Sequence, residues 1–441
     1  MKQSTKILIL NQPFDNNTGG GITLSNLFEG IDSDKVAVVC SAQLINSNTN
    51  FEKCRHYYQL GVIEQKWLFP FSLLRSNNHS GSVRKSFPNP ESLAEIPQKP
   101  TLKSTLVNKV FFPFIGYSGI YHSIFSLKLS PKLISWIKDF DPDIIYAQAQ
   151  SLQEVRFCQE IKDKFGLPFI FHMMDDWISL PGQSFISKLI WKKKIALEFE
   201  KLLKASDKVF TISDYMSKEY LRRYGIKSDV FHNPVDDDFW GQHQKQLMAL
   251  NDSPTILYAG RVGLSIDESL IMMANAVNRL NQIYKTQVKF VIQTEKKPNW
   301  VDKYNYVYHK RQVPYVDLPA AFSSADILFL PYDFSKKSID FIKYSMPTKA
   351  SEYMISGTPI LILAPKDTAI VDDALNLGWA QVLTEERLEK LVDMIATLLF
   401  NKELRTQITD NAKRLAKQVH SKRIVQERFF KNLHESAGAK V

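Results

Sequence analysis

Short apolar runs, each closed by a polar or proline-containing turn and each followed by a helical pattern, recur along the chain. This rhythm constrains the fold more than any other feature. The first run is Lys6-Ile-Leu-Ile-Leu-Asn11, ended by Gln12-Pro13. It is apolar without alternation, as a strand buried on both faces must be. A loop with Gly19-Gly20-Gly21, a helix predicted from Ile22 to Gly30 and a strand from Lys35 to Cys40 complete a β-loop-α-β start. The alternation blurs over residues 43–108 and then returns. Strands are predicted at Ile144 to Tyr146, Pro168 to Phe171, Lys208 to Ile212 and Asp229 to Phe231, with helices between them. A second series begins at Pro254-Thr-Ile-Leu-Tyr-Ala-Gly260 and continues through strands at Val288 to Ile292, Ile327 to Leu330 and Ile360 to Leu363. Strands and helices alternating at this pace predict an α/β protein with parallel, doubly wound sheets. Two such halves meet near residue 240.

Composition narrows the classes of function. Charged residues make up 23% of the 441 and aromatics 12%, which excludes a disordered or low-complexity chain. Cys40, Cys54 and Cys158 lack metal-ligand spacing and cannot form a disulfide framework, which fits a reducing compartment. The net charge of +10 favours anionic partners such as phosphorylated small molecules or acidic lipid. The stretch from Val110 to Leu127 is uncharged but contains Pro113, Gly116, Gly119 and His122, so it does not read as a bilayer span. The amino terminus does not read as a secretory signal, and the expected location is cytoplasmic.

Ligands of open α/β sheets bind beyond the carboxyl ends of the strands, so the residues after each strand carry the chemistry. After the first stand Gly20 and Gly21, whose amides could approach an anion at a helix start; the alternative is a plain tight turn. After Phe171 comes His172-Met-Met-Asp175-Asp176-Trp177. A histidine and carboxylates there could act as acid or base, or could be a core histidine and a cap. The pairs and triplets at Asp175-Asp176 and Asp236-Asp237-Asp238 lack further ligands for a hard cation, and no metal site is expected. In the second half Gly260-Arg261 follows a strand, and Pro347-Thr-Lys349-Ala-Ser-Glu352 opens a helix. Lys349 suits a diphosphate, and Glu352, one turn along the same face, suits the two hydroxyls of a ribose. A surface ion pair is the bland alternative.

Four stretches together resemble family 4 glycosyltransferases of the GT-B fold. They are Ser206-Asp-Lys-Val-Phe-Thr-Ile-Ser213, His232-Asn-Pro-Val-Asp236, Tyr258-Ala-Gly-Arg261 and Lys349-Ala-Ser-Glu352-Tyr-Met-Ile-Ser-Gly357-Thr-Pro359. The resemblance implies two Rossmann-like domains facing across a cleft, at residues 1–238 on the acceptor side and 239–420 on the donor side. A terminal helix at residues 421–437 would pack back on the first. It further implies a UDP- or GDP-sugar as donor substrate, no separate cofactor, no metal, and retention at the anomeric carbon. By motif position Glu352 would hold the ribose, and Arg261 and Lys349 the diphosphate. Gly20 and Gly21 would lie near the diphosphate and acceptor, with His172 near the transferred sugar; the residue reading adds Asp175 to His172 as the expected catalytic groups. Two departures mark a variant site. Tyr344 stands eight residues before Glu352, where relatives carry an acid, and Val262 to Glu268 contains no second basic residue.

The reading that follows is a retaining glycosyltransferase acting on a glycan or lipid-linked glycan in bacterial surface polysaccharide synthesis, with no nucleic-acid partner. The alternatives are a nucleotide-sugar epimerase of the same fold and a catalytically silent glycan- or nucleotide-binding protein. Trp191-Lys192-Lys193-Lys194, with Phe185, Ile186, Leu189 and Ile190 before it, suggests peripheral contact with the inner face of a membrane.

Overall fold

The computed structural model describes residues 5–15, 18–74, 78–83, 111, 115, 117, 119–179, 185–246, 248–263 and 265–438. Contacts divide the chain into two compact units. The first comprises Met1–Thr211, Tyr220–Asp229 and Phe429–Val441; the second comprises Ile212–Glu219 and Val230–Arg428.

In the first unit the strands are β1 (Ile7–Leu10), β2 (Val36–Ser41), β3 (His56–Leu60), β4 (Gln65–Trp67), β5 (Gly81–Val83), β6 (Phe125–Leu127), β7 (Ile144–Ala147), β8 (Phe169–Met173), β9 (Lys208–Thr211) and β10 (Asp229–Val230). Eight of them form one sheet in the order β10-β9-β8-β7-β1-β2-β3-β5. Ile7 pairs with Val36 on one side and with Ile144 on the other, both in parallel. The order reverses between β1 and β7, the switch point at which open α/β sheets leave room for a ligand. A separate antiparallel ribbon joins β4 to β6, with Trp67 opposite Phe125. The core is aromatic. Phe429, from the terminal helix Lys422–Gly438, lies with its ring centroid 5.0 Å from Phe28, 5.8 Å from Tyr146 and 5.9 Å from Phe210.

The second unit contains β11 (Thr255–Ala259), β12 (Lys289–Thr294), β13 (Val307–Arg311), β14 (Ile327–Pro331), β15 (Ile360–Leu363) and β16 (Gln381–Leu383). Their order is β13-β12-β11-β14-β15-β16, all parallel, with the reversal between β11 and β14. One face is covered by the helices Asp267–Tyr284 and Leu388–Phe400 through Leu270, Val277, Leu391 and Ile395. Ala350, Tyr353, Trp240 and Trp379 cover the other.

The Asn233-Pro-Val-Asp236 motif is a structural clasp within this unit. Val235 donates its N–H to the His420 carbonyl and accepts from the Lys422 N–H, both at 2.8 Å. Asp236 caps the helix Asp237–Gly241, accepting from the amides of Asp238 and Phe239, and pairs with Lys422 at 3.0 Å. Asp237 accepts from the Ser421 hydroxyl. Two of the three adjacent carboxylates are thus engaged in capping and hydrogen bonding. Among the described residues no cluster of His, Cys, Asp or Glu could hold a metal ion.

The glycine-rich segment differs from the predicted loop. Gly19, Gly20 and Gly21 are the first turn of the helix Gly19–Leu27, because Thr18 caps it and accepts from the Gly21 N–H. Among the described residues no helix is long and apolar enough to cross a membrane.

Candidate functional site

In the second unit the chain leaves β11 at Ala259 and passes through Gly260 to Arg261. Beside this turn the helix Lys349–Ser356 begins, and its first residue reaches back to the strand end. The Lys349 ammonium donates to the Ala259 carbonyl at 2.6 Å and lies 4.8 Å above the Tyr258 ring. Gly260 is required by this approach, since a Cβ there would sit 2.0 Å from Lys349 Nζ. The Tyr258 hydroxyl donates to the Arg261 carbonyl, and Tyr353 accepts from the Ala259 N–H at 3.4 Å. These two tyrosines brace the turn from either side.

Glu352 follows one helical turn after Lys349 and is only 7% exposed. Its carboxylate makes no hydrogen bond among the described residues. Burial pushes its pKa up to about 7, opposed by the nearby Lys349 charge. Burial pushes Lys349 down to about 8; Glu352 opposes this and Arg261 adds to it. Arg261 is exposed, its guanidinium carbon 5.9 Å from the Phe341 ring centroid. The site therefore presents two cations and a buried carboxylate that lacks a donor, all at the carboxyl end of β11. Such a set can hold an anion and accept hydrogen bonds from neighbouring hydroxyls. The i, i+3 spacing is not a surface ion pair.

Tyr344 is turned away into packing. It is buried, its hydroxyl donates to Glu219 Oε1 at 3.2 Å, its ring lies 5.6 Å from Tyr215, and its carbonyl accepts from the Ser213 hydroxyl at 2.9 Å. A carboxylate, Glu219, thus stands beside the position where an acid was expected in sequence; residue spacing gave no signal for it.

In the first unit the expected residues separate. His172 lies within β8 and is fully buried. Its Nδ1 is 2.6 Å from the Tyr146 hydroxyl, and its ring lies against Tyr146 and Phe210. The strand and these rings enclose the imidazole, so the Tyr146 hydroxyl fixes its orientation. Asp175, just beyond the strand end, is exposed. Asp176 is buried and structural, accepting from Tyr220 at 3.1 Å and pairing with Arg223 at 2.9 Å. Gly20 is half-buried at the helix start, whereas Gly21 is buried, and a Cβ there would meet Asp15 Cβ at 2.5 Å. Gly21 is a packing glycine; Gly20 and the helix amides remain for a ligand. Trp191 is also buried, against His122 at 5.1 Å, while Lys192, Lys193 and Lys194 are exposed. The side chains of Phe185, Ile186 and Leu189 lie outside the described residues.

Comparison with known proteins adds the following. The model of Glycosyltransferase Family 4 matches residues 87–239. No curated protein matches the sequence. Among solved structures, sucrose-phosphate synthase from Thermosynechococcus elongatus superposes with a TM-score of 0.62 at 11% identity, over 99% of this chain and 100% of that one. HepE of Anabaena in complex with UDP gives 0.57 at 14% identity, over 98% and 100%. A UDP-N-acetylglucosamine 2-epimerase from Listeria monocytogenes, so described with reservation, gives 0.53 at 13% identity, over 99% and 97%. At these identities the likeness shows the fold, which is GT-B.

Proposed function

We propose that this chain of the GT-B fold is a family 4 glycosyltransferase and moves a sugar, with retention, from a nucleoside-diphosphate donor to a glycan or lipid-linked glycan in surface polysaccharide synthesis. The observation that carries the donor reading is the buried Glu352 carboxylate without a hydrogen-bond donor, one turn from Lys349 at the end of β11. A ribose supplies two hydroxyl donors for Glu352, and the diphosphate takes Lys349 and Arg261. The HepE structure, which holds UDP, supports a uridine nucleotide as the first one to try. As the diphosphate departs, these two cations stabilise its growing charge.

Calorimetry with UDP and GDP tests the donor site, and proton NMR of the product made from a UDP-sugar and added acceptor tests retention. The epimerase reading has the Listeria likeness in its favour; conversion of UDP-N-acetylglucosamine without acceptor would establish it instead. We also propose peripheral lipid contact through Leu68, Phe69 and Leu73, which are 60%, 80% and 70% exposed, with Lys192 to Lys194. Trp191 takes no part. Flotation with anionic and neutral liposomes decides this.

A further inference from the structure

Within the first unit lies a cavity of about 350 Å³ lined by Ser41, Gln43, Gln65, Trp67, Tyr121, Phe125, Leu127, Ser151 and Glu154. Its volume is that of a small-molecule site, and its lining combines aromatic rings with a few polar groups, as such sites do. Its floor is the carboxyl edge of the large sheet beside the switch point. Ser41 is the last residue of β2, and Ser151 caps the helix Leu152–Phe165 that follows β7. Its wall is the β4–β6 ribbon with the short helix Tyr121–Ile124. Trp67 and Phe125 lie 4.8 Å apart, Tyr121 and Phe125 are stacked at 5.1 Å, and Tyr121 meets Trp67 edge-on at 5.8 Å. The three rings form one continuous aromatic surface.

The polar groups are held in place. Glu154 Oε2 accepts from the Gln150 N–H at 2.6 Å while Ser151 Oγ accepts from the Glu154 N–H at 3.2 Å, a reciprocal cap that fixes the carboxylate at the rim. The carboxylate is an acceptor at the cavity's edge. Gln65 donates its amide to the Leu60 carbonyl at 3.1 Å, which leaves its own carbonyl oxygen for a ligand. Burial pushes the Glu154 carboxyl up to about 7, opposed by the hydrogen bonds from Gln150 and Ser151.

We propose that this cavity binds a pyranose unit of a glycan, with the sugar's C–H face against the Trp67–Tyr121–Phe125 surface and its hydroxyls on Glu154, Gln65 and Gln43. A pyranose has one weakly polar face and a rim of hydroxyl donors, which matches a cluster of aromatic rings bordered by acceptors. A nucleotide fits less well, because the described lining residues offer no cation to a phosphate. The inference deepens the glycosyltransferase reading and rests on it only in taking the glycan for the acceptor. The site uses residues that the donor motifs do not include.

The test is saturation-transfer NMR on the full chain with the methyl glycosides of glucose, galactose, mannose and N-acetylglucosamine, alongside calorimetry with UDP. At least one glycoside is expected to bind the wild type. Trp67→Ala should weaken it tenfold or more, and Glu154→Gln severalfold, with UDP affinity unchanged within twofold. Trp67→Phe keeps an aromatic face and should retain part of the binding, so the comparison survives if Trp67→Ala does not fold. Absence of binding by every glycoside, or unchanged binding in Trp67→Phe and Glu154→Gln together, overturns the proposal. Glycoside binding without UDP binding would leave this site standing and remove the donor reading.

Discussion

Replacing Glu352 by Gln should make the free protein more stable at pH 8 and a poorer binder of its donor. The carboxyl titrates at about 7 in the folded protein against 4.5 when exposed. A shift of one unit corresponds to ~1.36 kcal/mol, so the buried charge costs ~3 kcal/mol once the pH passes 8. The sign follows from proton uptake. A raised folded pKa favours the protonated fold, so this stabilisation is full below pH 4.5 and is lost as the pH rises through 7. A glutamine in its place would not titrate, but its amide must itself be desolvated, at ~1–2 kcal/mol. Near pH 4.5, where the carboxyl is neutral, the amide cost leaves the variant ~1–2 kcal/mol less stable, and at pH 8 the net gain is ~1–2 kcal/mol. In a unit of ~200 residues that gain is about 2–8 °C in the melting transition. Donor contacts move the other way. Hydrogen bonds to a charged acceptor contribute ~1.5–3 kcal/mol, so affinity should fall roughly ten- to hundredfold. UDP at one hundred times its wild-type Kd should stabilise the wild type by ~2.7 kcal/mol, and a variant weakened thirtyfold by only ~0.9 kcal/mol. Calorimetric melts at pH 4.5 and 8, with and without UDP, read both effects. A variant less stable than wild type at pH 8, with an undiminished response to UDP, would refute the reasoning.

Arg261→Ala and Lys349→Ala should each lower turnover about a hundredfold, and the double variant should lose less than the two combined, since both act on one diphosphate; steady-state kinetics measures this. With those cations carrying the leaving group, excess chelator should leave turnover intact, and restoration by magnesium of activity lost to chelator would contradict the assignment. Gly260→Ala should weaken UDP binding at least tenfold by displacing Lys349, whose ammonium would lie 2.0 Å from the new Cβ, as titration calorimetry would show. His420, buried 4.9 Å from His232, has its pKa lowered to about 3 by burial and by that neighbour. It stays neutral in the fold while the unfolded chain takes up a proton below pH 6.5, so stability should fall on acidification, by ~1–2 kcal/mol at pH 5. His420→Asn should flatten that limb of a denaturant series run against pH.

Strands buried on both faces were legible in the sequence, because Ile7–Leu10 and Ile360–Leu363 have no polar side to confuse the pattern. Of the edge and ribbon strands only β10 was. β13 is Val-Tyr-His-Lys-Arg with most of its residues exposed, and β4 and β6 are three-residue strands that exist only through each other. At the donor site, the spacing of Lys349 and Glu352 was enough to place both on one turn, since helix geometry is local. That Lys349 would reach Ala259, and that Gly260 must be glycine to allow it, depends on packing across ninety residues. The surroundings of His172 were not legible for a related reason: position along a strand does not say which way a side chain faces, and here both faces are covered. The cavity of Trp67, Tyr121 and Glu154 draws on segments too far apart for any motif to contain.

The division of the chain has a consequence for the order in which it can fold during synthesis. Phe429 is wholly buried among Phe28, Tyr146 and Phe210, yet it emerges two hundred residues after Asp229, where the rest of that unit is already complete. At ~5–20 residues per second a ribosome needs roughly 10–40 s to cover that distance. Throughout that interval the early sheet exists with an open aromatic gap, and the intervening unit, contiguous from Val230 to Arg428 apart from one short segment made earlier, can close first. The unit made first is therefore the one finished last, and its unfilled gap is where a chaperone that binds aromatic surface would find the nascent chain.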